Sequence, residues 1–213
     1  MMKTLIKYIL NKYNLIGLYY ISKSGPLHDY GWFRSIKEKK IVNKYGDPIP
    51  WFNYSMIEFL ENRIKLNFNV FEYGSGSSTF WWAKRVNRLY SCEHDEIWFE
   101  KHKTEIMKEN VDYKCKSIEN EEYENYITNF KNYFDIIIID GRRRIKCSKN
   151  SITSLNNSGV IIWDNTDRIE YVEGIRYLEE QDFKRISISG LVPCINGITE
   201  TSIFYRQNNC LKI

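Results

Sequence analysis

The sequence has no C-x-x-C pair and no zinc-type ligand spacing. Its five cysteines, Cys92, Cys115, Cys147, Cys194 and Cys210, are odd in number and widely spread. That pattern excludes a small disulfide scaffold and reads as reduced thiols in a cytoplasmic protein. Histidine is scarce, and His28, His94 and His102 stand apart from one another. No apolar run is long enough to cross a bilayer. Met1 to Tyr20 is apolar-rich, but Lys3, Lys7, Asn11 and Lys12 interrupt it. A spanning helix needs about 20 predominantly apolar residues, and a signal peptide needs an unbroken apolar core. An amphipathic helix lying on a membrane or on a partner stays open. Neither sign of charge dominates: the net charge of +4 is mild and does not by itself call for nucleic acid. Internal repeats and low-complexity segments are absent as well.

The 213 residues, 43% hydrophobic and 15% aromatic, suffice for one domain with a sizeable core and an extension. The reading divides them into an N-terminal extension, residues 1–50, and a main domain, residues 51–213. Residues 1–12 read as a short amphipathic helix, with Leu5, Tyr8, Ile9 and Leu10 apolar and lysines between. Residues 13–50 show no long period and are punctuated by Gly25-Pro26, Gly31 and Gly46-Asp47-Pro48. Large rings are dense there, at Tyr19, Tyr20, Tyr30, Trp32, Phe33 and Tyr45. They imply packing against the main domain, or a lid over a site. A helix follows Pro48 and Pro50, with capping-box spacing at Ser55 and Glu58 and an apolar stripe from Met56 to Ile64.

From residue 68 the pattern alternates. Strands are expected at about 69–74, 88–93, 111–117, 134–140, 159–164, 183–189 and 201–206. Helices are expected at about 77–87, 95–109, 120–131 and 168–181. Phe134 to Asp140 is almost continuously apolar, as in a central parallel strand covered on both faces. Strand–helix alternation predicts a doubly wound α/β sheet. No helix separates the last two strands, so the last should run antiparallel.

The chain is organised around Val70-Phe71-Glu72-Tyr73-Gly74-Ser75-Gly76-Ser77-Ser78-Thr79. An apolar run enters this stretch, a helical pattern leaves it, and two glycines mark the turn. Such a turn lets a ligand approach the backbone closely. Ser78 stands where a dinucleotide fingerprint would place its third glycine. Ligands of open α/β sheets bind beyond the carboxyl ends of the strands. The candidates are therefore Glu72 to Ser77, Glu93-His94-Asp95, Ser117, Asp140-Gly141-Arg142 and Trp163-Asp164-Asn165. Glu93, Asp140 and Asp164 each end an apolar strand. Carboxylates there can also merely cap the helices that follow. Arg142-Arg143-Arg144, with Lys146 and Lys149, forms the one dense basic cluster. It can face an anionic group or be a solvated loop.

The acid-x-Gly-x-Gly run, with a second acid ending the next strand, resembles class I S-adenosylmethionine-dependent methyltransferases over roughly residues 50–206. The resemblance implies a three-layer sandwich around a seven-stranded sheet. It implies that Glu72, Gly74 and Gly76 shape the cofactor pocket and that Glu93 holds the ribose. Ser75, Ser77, His94, Ser117 and Asp140 complete the candidate cofactor set by position. Asp140, Asp164 and Arg142 are the residues expected to face the methyl acceptor. Asp140 with Asp164-Asn165 resembles the metal ligands of catechol-type O-methyltransferases, which implies Mg²⁺ or another divalent cation. Pro-x-Pro-Trp, Glu-Tyr-Gly-Ser-Gly-Ser-Ser-Thr and Asp-Gly-Arg-x-Arg resemble a bacterial methyltransferase group associated with surface-polysaccharide genes. The expected reaction is methyl transfer, as O-methylation, to a small or glycan-linked acceptor. A nicotinamide-dependent oxidoreductase, or a non-catalytic binding module, would use the same glycines and Glu93. Nucleic acid is not an expected partner, because a broad basic stripe with stacking aromatics and the N-P-P-Tyr motif are both missing. No oligomeric state is legible.

Overall fold

The computed structural model describes residues 2–213, without the side chains of residues 2–5 and Leu18. Seven strands form one sheet in the order β3-β2-β1-β4-β5-β7-β6. They are β1 (Asn69–Tyr73), β2 (Arg88–Glu93), β3 (Val111–Cys115), β4 (Phe134–Ile139), β5 (Leu155–Asp164), β6 (Lys184–Leu191) and β7 (Ile198–Tyr205). The first five are parallel, and β7 runs antiparallel to both β5 and β6.

Side-chain alternation along the strands divides the core in two. In β4, Ile136 and Ile138 face one apolar layer while Ile137 and Ile139 face the other. The first layer is covered by α5 (Tyr54–Glu61), α6 (Ser77–Ala83) and α7 (Glu96–Ile106), through residues such as Leu60, Trp82 and Ile106. The second is covered by α8 (Glu122–Asn125), α9 (Arg144–Ser151) and α10 (Val172–Glu180), through Tyr123, Cys147 and Leu178. From β1 the chain winds outward through β2 and β3, then returns to place β4 beside β1. The strand order reverses between β1 and β4, so the carboxyl ends of these strands border a crevice.

Several elements differ from the sequence expectation for local reasons. The helix expected at 120–131 breaks into α8 and a 3₁₀ turn, Tyr126–Asn129. There the Thr128 and Asn129 side chains donate to the Asn125 and Tyr126 carbonyls and compete with helical bonding. The helix at 54–61 starts from Asn53, whose side chain accepts from the Met56 N–H; the Ser55–Glu58 capping box is not used. The helix α9 arises where the sequence suggested a basic loop. Strand β5 begins four residues earlier than expected, with a register shift against β4. Residues 13–50, which showed no period, contain α2 (Ile16–Lys23), α3 (Pro26–Tyr30) and α4 (Trp32–Glu38), preceded by α1 (Met2–Lys12). The helices α2 to α4, at 8, 5 and 7 residues, are too short for a period to show, whereas α1 matches the expected amphipathic helix. Gly31 sits at φ +86 between α3 and α4, and a Cβ there would lie 2.2 Å from the Lys44 nitrogen. No helix among the described residues is long and apolar enough to cross a membrane.

Candidate functional site

A cavity of about 890 Å³ opens over the carboxyl ends of β1, β2, β4 and β5. That is within the range of about 300–1,000 Å³ common for small-molecule sites. Gly74 leaves β1 at φ +87, a backbone that L side chains rarely adopt, and a Cβ would lie 3.0 Å from Gly141 Cα. Glycine at both positions thus lets the ends of β1 and β4 meet. Gly76 is different: its φ of 170° is ordinary extended backbone. No protein atom lies within 4 Å of where its Cβ would be.

Two buried acids hold this turn. Glu72 accepts from Ser78 Oγ at 2.5 Å, Thr79 Oγ1 at 2.7 Å and Ser91 Oγ at 3.0 Å. Thr79 Oγ1 also accepts from the Gly76 N–H. Glu72 is 1% exposed and lies beneath the turn, outside the cavity wall. Burial pushes its pKa up to about 7, against the three hydroxyl donors. Glu93 lies on the wall. Its Oε2 accepts from the Ser75 N–H and Oγ, and its Oε1 from the N–H groups of His94 and Asp95. His94 Nδ1 is 2.8 Å from the same Oε1. Burial opposes the charge, but these donors outweigh it and hold the pKa at about 2. Ser75 Oγ also contacts Tyr113 Oη and Trp98 Nε1 at 2.7 and 3.2 Å.

Of the candidate cofactor residues, Gly74, Ser75, Gly76, Ser77, Glu93, His94 and Asp140 line the cavity, and Glu72 and Ser117 do not. Asp164, Asn165 and Arg142 also line it. The sequence reading did not assign Trp98, Arg144, Arg168, Lys40 or Ile195 to the wall, although all five line it. Trp98 carries a weak signal, being the third residue after the Asp95 cap of α7. Lys40 lies in the extension read as packing on the domain or lidding a site, and Ile195 in the loop at 190–200 that the family resemblance puts near the substrate side, but neither residue is singled out locally.

The far wall depends on Arg144, which is only 9% exposed. Its Nη2 donates to Asp140 Oδ1 at 3.0 Å and to the Asp140 carbonyl at 3.2 Å. Its Nη1 donates to the Asp164 carbonyl at 2.6 Å and to Asn165 Oδ1 at 3.3 Å. Its Nε donates to the Gly141 carbonyl at 2.9 Å. Asp164 Oδ1 accepts from Thr201 Oγ1 at 2.5 Å. Burial raises the pKa of Asp164 to about 7, aided by the charge of Asp140 and opposed by Thr201 and Arg144. Asp140 Oδ1 and Asn165 Oδ1 thus share one guanidinium, whereas the Asp164 carboxylate turns to Thr201 and offers Arg144 only its backbone carbonyl. Among the described residues, no group of three or more His, Cys, Asp or Glu side chains is placed to hold a metal.

No protein-family model matches the sequence, and no curated protein matches it. Solved structures do resemble the fold. A methyltransferase from Geobacter sulfurreducens is 16% identical at a TM-score of 0.52, over 90% of this chain and 95% of that one. A precorrin-6y C5,15-methyltransferase from Geobacter metallireducens is 10% identical at a TM-score of 0.54, over 71% and 87% of the two chains. Spermidine synthase from Thermotoga maritima is 14% identical at a TM-score of 0.51, and the match covers 70% of this chain but spans only 57% of that enzyme. With strand order, the antiparallel β7 and the glycine turn between β1 and α6 all in agreement, the chain has the fold of class I S-adenosylmethionine-dependent methyltransferases.

Proposed function

We propose that the protein transfers the methyl group of S-adenosylmethionine to a small or glycan-linked acceptor, as an O-methyltransferase. The observation that carries this reading is the convergence of the glycine turn, Glu93 and Asp140 on one cavity. S-adenosylmethionine supplies an electrophilic methyl group on a sulfonium. The chain has to bind it, orient it and hold an acceptor in line with the departing sulfur.

Glu93 is the ribose acid in this reading. All four of its accepting positions are filled from within the protein, and only the Ser75 hydroxyl and the neighbouring His94 ring can turn away without moving backbone. A ribose diol would take over the Ser75 Oγ bond, and that hydroxyl would keep Tyr113 and Trp98. Gly76 leaves the space beside it free for the ligand.

On the acceptor side, Arg144 fixes Asp140 through one oxygen, Oδ1. The other oxygen has no hydrogen-bond partner among the described residues. In this reading that free oxygen takes the proton of an acceptor hydroxyl. Asp164, held by Thr201 and only 3% exposed, is a poorer candidate for that proton. Arg142 and Arg168, both exposed and without an acidic partner among the described residues, suit an acceptor that carries negative charge. Five free cysteines are compatible with a cytoplasmic location.

Calorimetry with S-adenosylmethionine, S-adenosylhomocysteine and NAD tests the reading. The first two should bind and NAD should not. Glu93→Ala should weaken binding by about 1.5–3 kcal/mol for each ribose bond lost. Binding of NAD in preference to both sulfur ligands would favour the oxidoreductase instead, which shares Gly74, Gly76 and Glu93.

A further inference from the structure

The first 28 residues contain four lysines, Lys3, Lys7, Lys12 and Lys23, and no aspartate or glutamate; the first acid is Asp29. The helices α1 and α2 in this segment contact each other, and α2 contacts α3. Their large apolar side chains are left in solvent. Ile6 and Ile9 on α1 and Tyr13 just past its end keep a helical spacing, and Leu15, Tyr19, Tyr20 and Ile21 continue the exposed surface. Tyr8 and Tyr13 are 66% and 64% exposed. Three lysines lie over tyrosine rings of the same hairpin: Lys7 over Tyr20, Lys12 over Tyr13 and Lys23 over Tyr19.

The chain is fastened to the domain just beyond this hairpin. Tyr30 stacks on Tyr54 at 4.8 Å and donates to Glu58, and Trp32 donates to the Ile195 carbonyl. Lys40 and Ile41, a few residues further on, line the cavity. A hairpin with exposed apolar side chains and lysines thus joins the domain beside the cavity rim.

We infer that the α1–α2 hairpin docks on the surface of an anionic lipid bilayer and tethers the cavity to that surface. An 11-residue helix is about 16 Å long, too short to span the roughly 30 Å apolar core. It can lie in the interface, with isoleucines among the acyl chains and lysines at the headgroups. Tyrosine suits this depth, because its ring is apolar and its hydroxyl stays wet. A second copy of the chain is a poor occupant, since a self-complementary contact would set lysines against lysines with no acid among the first 28 residues to offset them. Each lysine near an anionic surface strengthens binding roughly fivefold. A tether of this kind brings the cavity to acceptors carried on the membrane.

Co-sedimentation of the 213-residue chain with phosphatidylcholine vesicles, with and without phosphatidylglycerol, tests the inference. The chain should pellet with the anionic vesicles at low salt and bind the neutral ones at least tenfold more weakly. The triple variants Lys7→Glu/Lys12→Glu/Lys23→Glu and Ile6→Ser/Ile9→Ser/Tyr13→Ser should each lose at least tenfold in vesicle binding. Both should melt at the wild-type temperature, because the hairpin packs little against the domain. Equal binding to both vesicle types overturns the inference. So does a dimer in solution that the apolar triple variant dissociates, or binding to duplex DNA or RNA without binding to vesicles.

Discussion

The two walls of the cavity are built on opposite principles. On the wall formed by β1 and β2, nearly every polar group is already bonded within the protein. Glu93 holds the turn and the start of α7, the Gly76 N–H is held by Thr79, and beneath the wall Glu72 holds three hydroxyls. On the opposite wall, Lys40, Arg142 and Arg168 are exposed and have no acidic partner among the described residues. Trp51 is 51% exposed, with its Nε1 donating to the Pro193 carbonyl. The first wall is preformed for a ligand of one shape, so little ordering is left for binding. The second can adjust long side chains around an acceptor. Arg144 belongs to neither wall alone: it ties the ends of β4 and β5 together and fixes the one acid that both ligands would meet.

The sharpest way to break this contrast is to remove the tie. Arg144→Met should destabilise the fold by about 3–5 kcal/mol, because it leaves Asp140 and several buried carbonyls without their donor. Chemical denaturation measures this. Mn²⁺ should leave wild-type melting unmoved, because Arg144 already takes Asp140 Oδ1 and Asn165 Oδ1; stabilisation by Mn²⁺ would show that a cation shares these residues.

Glu72→Gln tests the support beneath the preformed wall through pH. The folded pKa of Glu72, about 7, lies above its ordinary value of 4.5. Stability from this group is therefore fully present below about pH 4.5 and is lost as pH rises to about 7. The loss is roughly 3 kcal/mol. Glutamine cannot ionise, so the variant should gain on the wild type by that amount between pH 4.5 and 8. Parallel denaturation curves for the two proteins across this range would show that the buried acid is not the source.

Gly76→Val should block the cofactor without unfolding the chain. Its backbone is ordinary and its surroundings are open, so the added side chain enters cavity space. Affinity for S-adenosylhomocysteine should fall about a hundredfold or more, roughly 2.7 kcal/mol. Gly74→Val offers the contrast. Its positive φ and its contact with Gly141 should cost about 1–3 kcal/mol of folding stability as well. Equal melting losses in the two variants would erase the distinction between them.

The smallest effect is expected on the adjustable wall. Arg142→Gln and Arg168→Gln should keep stability within about 0.5 kcal/mol of wild type. Cofactor affinity should stay within about twofold. Once an acceptor is known, its kcat/KM should fall in both variants. A large loss of cofactor binding in either one would mean that the two walls are not separate.

Much of the sheet was legible because each strand carries its own signal. The run of isoleucines in β4 reads as a strand buried on both faces, and the turn residues after β1 mark the reversal into α6. Helix α9 was not legible. Its buried face, Arg144, Cys147, Ser148 and Ser151, has helical spacing but is made of polar and small residues, so no apolar period shows in the sequence. Arg144 looked like one more surface charge in a basic cluster. Nothing local distinguishes it from Arg142 or Arg143, and its burial depends on where β5 ends. Glu72 was read as a pocket acid from its place in the motif. The strand pleat points it instead at Ser91 of the next strand and at the first turn of α6.

Sequence alone determined the alternation of strands and helices, the glycine turn and the acids that end β2, β4 and β5. These are local patterns of spacing, and spacing survives without a fold. Only tertiary structure decided which acid lies under the turn, which faces the cavity and which is held by an arginine. Those outcomes depend on the register of neighbouring strands and on loops that close from the far end of the chain, at residues 40–51 and 192–199. Burial and neighbouring donors then hold Glu93 at about 2 and push Glu72 and Asp164 up to about 7, from similar intrinsic acidities. A chain of letters cannot carry that difference, because it resides in the distances between residues that folding brings together.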